Sequence, residues 1–151
     1  MRITDLLDAR SILLNASPKS KNEALDQIVD LMVKSEKIND KEAYRKQVYA
    51  REEESTTGIG EGIAIPHGKC DAVTKPGLAA MVVKNGVDFD SLDGEPVTLM
   101  FLIAAPNTED NIHLDVLSTM RSTIWSSASL LLFGDASKRI LLASSKSVIL
   151  I

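Results

Sequence analysis

Apolar positions recur along this chain with two different periods. Ala24, Leu25, Ile28, Val29 and Met32 fall at i, i+3, i+4 spacing with Lys, Asp and Glu opposite, which predicts an amphipathic helix over 19–37. A second helix is expected from a cap at Asn39 or Asp40 to about Glu54, its inner face following Tyr44, Val48 and then Arg51. A glycine-rich stretch follows, in which Ile63, Ala64 and Ile65 read as a short buried strand halted by Pro66. Leu78 to Val83 and Val97 to Ala105 are apolar runs of strand length. Between them Asp93-Gly94 carries the turn chemistry of a hairpin or loop. Thr108 reads as the N-cap of another helix, with Glu109 and Asp110 in its first turn and His113, Val116, Leu117 and Met120 along one stripe.

Helices alternating with strands predict an α/β fold, a central sheet covered by helices on both faces. A length of 151 residues fits a single domain, 1–151, with one core. The texture changes after Arg121: residues 121–151 hold four bases, Arg121, Lys138, Arg139 and Lys146, one acid, Asp135, and little helical period.

Composition narrows the function classes. Apolar residues make up 44% and charged residues 25%, ordinary for a globular domain. A net charge of −4 disfavours nucleic acid or an anionic membrane as partner, since both call for a basic face. No apolar run approaches the roughly 20 residues that span a bilayer, and the acids near the N-terminus do not fit a signal peptide. A cytoplasmic location with no membrane insertion is therefore expected. Cys70 is the sole cysteine, which excludes an internal disulfide, and it is read as structural.

Candidate chemistry gathers around two histidines. His67 follows a proline at the end of an apolar strand, inside a loop framed by Gly58, Gly60, Gly62 and Gly68. Glycines let backbone N–H groups approach an anion closely, and a neutral imidazole is a competent nucleophile near neutral pH. On position alone, a histidine that merely caps a turn fits as well. His113 sits near a helix N-terminus, where partial positive charge favours a phosphate, although a satisfied core histidine is the blander reading. Arg51 points inward on its helix; a guanidinium there wants a carboxylate or a phosphate, and an ion pair with Glu52 to Glu54 would also satisfy it.

Two imidazoles, a guanidinium and a glycine-rich loop suit phosphoryl transfer, in which positioning and charge stabilisation do most of the work. They suit other chemistries poorly. The histidines are 46 positions apart, a weak metal pattern; no G-x-S-x-G is present, and GEGIAIPHGK lacks the Ser or Thr of a phosphate-binding P-loop. No metal, nucleotide or other cofactor is expected.

The run REEESTTGIGEGIAIPHGK at 51–69 closely resembles the signature of phosphotransferase-system IIA domains of the fructose/mannitol class. In that pattern an arginine precedes the phosphorylated histidine by sixteen positions, as Arg51 precedes His67, and a glutamate lies in the glycine loop, as Glu61 does. A second histidine opens a later helix in a setting like NIHLDVL, where His113 stands. The resemblance covers 1–120 and implies a mixed sheet between helical layers, a three-layer α/β/α domain. It implies a protein-histidine phosphotransferase that takes a phosphoryl group from phospho-HPr onto His67 and passes it to a IIB domain, for sugar uptake through a IIC membrane component. Arg51 and His113 would steady the phosphoryl oxygens, and Glu61 would orient an imidazole by accepting its N–H. The fructose branch is the leaning; the alternative is a nitrogen-related IIA protein that regulates partners through its phosphorylation state. The tail 121–151 departs from the acid-rich amphipathic helices of that family, as a divergent segment or one read in a shifted frame would.

Overall fold

The computed structural model describes residues 6–108 and 114–118. Within them a mixed six-stranded sheet carries two helices on one face. The strands are β1 (Leu7–Ala16), β2 (Gly58–Gly60), β3 (Ile63–Ala64), β4 (His67–Cys70), β5 (Gly77–Val87) and β6 (Val97–Pro106), and the helices are α1 (Lys21–Lys34) and α2 (Lys41–Glu54). Strand order is β1-β5-β6-β3-β2, with β4 also paired to β6. β5 and β6 are antiparallel, while β1 lies parallel to β5, and β3 and β4 parallel to β6.

The two apolar runs become the central strands because both their faces are covered, so no polar alternation survives in them. On one face Ala79, Met81, Val83, Met100, Leu102 and Ala104 pack under α1 and α2. On the other, Leu78, Ala80, Val82, Leu99, Phe101 and Ile103 pack with Ile63, Ile65, Leu6 and Val116, the last from the helical stretch 114–118.

α1 is shorter than its period predicts, and both ends have local causes. Ser20 caps its start by accepting from the Glu23 amide. At the far end the Ser35 hydroxyl and amide both turn back onto the Met32 carbonyl, and Glu36 takes a positive φ of 60°, which closes the helix before residue 37. α2 begins where expected, with Asp40 accepting from the Ala43 amide. Three strands escape the sequence pattern. β1 is one: its pairing with β5 is broken by irregularities after Leu7 and after Leu13, which erase a simple alternation. β2 and β4, of three and four residues, are the others.

β3 and β4 are one strand path interrupted by Ile65-Pro66. Ala64 pairs with Met100 and His67 with Ile103, both on β6. Pro66 has no N–H to give the ladder, but its carbonyl still accepts from the Ile103 amide at 3.1 Å. The break leaves His67 at the restart of the strand.

Candidate active site around His67

α2 is seated on β4 at a glycine. A Cβ on Gly68 would lie 3.0 Å from both Tyr44 Cε2 and Val48 Cγ2, so only the bare backbone admits the helix at this depth. Tyr44 is fully buried and donates its hydroxyl to the Ile103 carbonyl at 2.9 Å; burial holds its pKa well above the usual phenol value. Side chains alternate along a strand, so with Gly68 facing α2, His67 faces the opposite layer. Arg51, one turn beyond Val48 on the helix, reaches the ring.

The contacts of the imidazole define its protonation. Nδ1 lies 3.1 Å from the Ile65 carbonyl, which can only accept, so Nδ1 carries the proton. Arg51 Nε, which can only donate, lies 3.0 Å from Nε2, so Nε2 keeps its lone pair. Arg51 also donates from Nη1 to the carbonyl and hydroxyl of Ser55, at 3.1 and 3.3 Å. Among the described residues no carboxylate pairs with Arg51, so the ion pair with Glu52 to Glu54 is not formed.

His67 and Arg51 open into a cavity of about 610 Å³. Thr56, Thr57, Ile65, Leu117 and Ser118 line it, and Ile59, Leu92 and Leu114 complete the wall. Those last three are also exposed large apolar side chains, at 41%, 77% and 52%.

The glycine loop forms a hairpin. Gly58, Gly60 and Gly62 do not line the cavity; they build the tight β2–β3 hairpin. Gly60 and Gly62 take φ of 100° and 75°, a region costly for other residues, while a Cβ on Gly58 would meet Ser91 Oγ at 2.5 Å. The described geometry of these three glycines is that of a tight hairpin. Glu61, itself at φ 54°, is exposed at the tip, and its amide donates to Asp93 Oδ2 at 2.8 Å. Asp93 Oδ1 accepts from the Glu95 amide as well, and these backbone donors hold the Asp93 carboxyl below its ordinary range. At His67 the acceptor for Nδ1 is the Ile65 carbonyl, and no hydrogen bond joins Glu61 to that ring among the described residues. His113 lies outside the described residues, as do Glu109, Asp110, Met120 and the tail 121–151.

Sequence reasoning missed the supports. Glu52 is buried and receives the Thr57 amide at 2.9 Å, the Thr57 hydroxyl, and Lys21 Nζ at 2.8 Å. A glutamate facing inward beside Arg51 was the available clue. Among the described residues no cluster of three His, Cys, Asp or Glu side chains could hold a metal, and no helix is long and apolar enough to cross a membrane.

Residues 5–131 match the family described as phosphoenolpyruvate-dependent sugar phosphotransferase system, EIIA 2. The chain belongs to that family. The EIIA assignment carries with it phosphotransferase chemistry in general, and the mixed α/β sheet described above is the fold of its solved relatives. The chain is 41% identical over 150 residues to the fructose-specific EIIABC component of Bacillus subtilis, covering 99% of this chain but only 22% of that protein. It is 34% identical to the fructose-specific EIIA component of Haloferax volcanii, covering 97% of this chain and 91% of that one. Among solved structures, the nitrogen regulatory protein IIA-Ntr of Neisseria meningitidis superposes with TM-score 0.81 at 27% identity, covering 95% of this chain and 99% of that one. The Escherichia coli IIA mannitol enzyme, solved in complex with phosphorylated IIB mannitol, gives TM-score 0.69 at 25% identity over 93% of this chain and 91% of that one.

Proposed function

We propose that this EIIA domain is a phosphocarrier that accepts a phosphoryl group on Nε2 of His67 from phospho-HPr and gives it to a IIB domain serving fructose-type uptake through a IIC component. One observation carries the reading: the ring presents a lone pair at Nε2, with its proton parked on Nδ1 against a carbonyl, at the mouth of an open cavity. In the transfer step the Nε2 lone pair attacks phosphorus, the donor's N–P bond breaks, and the donor imidazole keeps that electron pair. The ring of His67 gains positive charge as the new N–P bond forms, and the Ile65 carbonyl on Nδ1–H stabilises it.

Arg51 donates to the same nitrogen that must attack, so it has to slide from Nε2 toward the phosphoryl oxygens as the bond forms. Its planar fork suits both positions, and the Ser55 contacts hold the other end of the guanidinium. His113 is proposed to steady the phosphoryl group. Ile59, Leu92 and Leu114 would be covered by the partner protein, excluding water from the transferring group. The site asks for no metal or cofactor, and the domain is read as acting in the cytoplasm.

The test is intact mass after incubation with phospho-HPr, under conditions that preserve acid-labile phosphohistidine. The wild-type chain should gain one phosphoryl group and lose it to a fructose-type IIB domain. His67→Ala should gain none, and labelling of that variant at the wild-type rate would end the assignment. A second reading, a regulatory protein, is favoured by the fold match to IIA-Ntr and by 34% identity to the nitrogen regulatory protein of Pseudomonas aeruginosa. Retention of the phosphoryl group in the presence of the IIB domain would decide for it.

A further inference from the structure

The buried carboxylate behind the site belongs to a closed circuit of contacts. Lys21 Nζ and the Thr57 amide both donate to Glu52 Oε1, and the Thr57 hydroxyl donates to Oε2, so both oxygens are occupied. The Thr57 carbonyl accepts from the Ile65 amide at 3.0 Å. The Ile65 carbonyl accepts from His67 Nδ1, and His67 Nε2 accepts from Arg51, the residue that precedes Glu52 in α2. The circuit therefore runs from Arg51 through Glu52, Thr57, Ile65 and His67 back to Arg51. Its one negatively charged member is out of water, with its side chain 5% exposed.

We infer that Glu52 is a positioning residue that fixes the reactive tautomer of His67. A charged acceptor makes stronger hydrogen bonds than a neutral one, and a carboxylate taking two donors from one residue fixes that residue's place. Thr57 so held sets where the Ile65 peptide lies, and the Ile65 carbonyl sets which ring nitrogen carries the proton. Lys21 supplies the countercharge that makes the buried carboxylate tolerable, and it also lies over the Phe89 ring, 4.8 Å from its centroid. Without Glu52 the strap 55–57 loses its anchor, Ile65 loosens, and the ring samples the tautomer with its proton on Nε2. That tautomer has no lone pair to offer phosphorus.

The kinetic half of this inference rests on the phosphocarrier reading; the tautomer half does not, and the experiment separates them. Nitrogen NMR of the ring in the full chain should show His67 as the Nδ1–H tautomer. Glu52→Ala should raise the Nε2–H form to a comparable share. It should also slow phosphoryl uptake from phospho-HPr on the order of tenfold, with KM for that donor unchanged. Glu52→Gln, which still offers an acceptor to the Thr57 amide, should recover most of both. Thr57→Val removes only the hydroxyl contact and should give an intermediate shift, which keeps the inference testable should Glu52→Ala not fold. A ring that stays wholly Nδ1–H in the folded variants, or a wild-type ring that is Nε2–H, overturns it. A wild-type chain with the expected tautomer that never takes a phosphoryl group would instead sink the phosphocarrier reading and leave the positioning role standing.

Discussion

Tyr44 lies against Gly68 so closely that a methyl group on the glycine would stand 3.0 Å from the ring. This contact sets the height of α2 above β4 and, about two turns further along the helix, the reach of Arg51 to His67. Gly68→Ala should push α2 outward, cost about 1–3 kcal/mol as overpacking, and slow phosphoryl uptake together with it. Denaturant unfolding and the rate of uptake from phospho-HPr measure the two effects, and an unchanged rate would uncouple the packing from the site.

Tyr44→Phe tests the same anchor without adding volume. It removes the hydroxyl donated to the Ile103 carbonyl in a fully buried setting and should cost about 1 kcal/mol. Urea denaturation measures it, and a variant as stable as the wild type would show that the bond adds nothing to packing.

Arg51→Lys keeps the charge and loses the fork. A lysine cannot reach His67 and Ser55 together as the guanidinium does, so uptake should slow by about tenfold or more while the phosphorylated residue remains His67. Rapid-quench labelling followed by site mapping checks both halves, and wild-type kinetics would show that a point charge suffices.

The hairpin that leads into the site is clamped by one carboxylate, and acid should release it. Asp93 accepts from the amides of Glu61 and Glu95, which lowers its pKa in the folded state below the ordinary 3.8. Its contribution is therefore complete above 3.8 and disappears as pH falls through the lower folded value. The Glu61 amide proton shift should titrate with a midpoint below 3.8, and Asp93→Asn should abolish that titration. A midpoint at or above 3.8 contradicts the clamp.

Leu92 is 77% exposed beside the cavity and holds up none of the core. Leu92→Ser should leave stability within about 0.5 kcal/mol and raise KM for the phosphoryl donor with little change in turnover. Steady-state uptake at varied phospho-HPr reads it out; an unchanged KM would place the docking face elsewhere.

The central strands and the two helices were legible along the chain because each depends on near neighbours, whereas Arg51 and His67 were tied to one site through the resemblance of 51–69 to a known signature. Runs buried on both faces become β5 and β6, and the Tyr44, Val48, Arg51 stripe becomes the inner face of α2. β1 was not legible, since irregular pairing removes its alternation, nor was the stop of α1 at Lys34, which rests on Ser35 and a positive φ at Glu36. The glycines announced close backbone approaches without saying to what: the approaches are to Ser91, to Asp93 and to α2.

By itself, then, the chain determined the helices and the buried strands, because period and apolar runs are properties of the polymer, and the resemblance of 51–69 pointed to Arg51 and His67. Only the tertiary structure decided what each does. The ring proton is assigned by a carbonyl two residues away, the glutamate in the glycine loop faces solvent, and the glutamate beside Arg51 is the buried one. Hydrogen-bond partners are chosen by distances across the fold, and no one-dimensional pattern holds those distances.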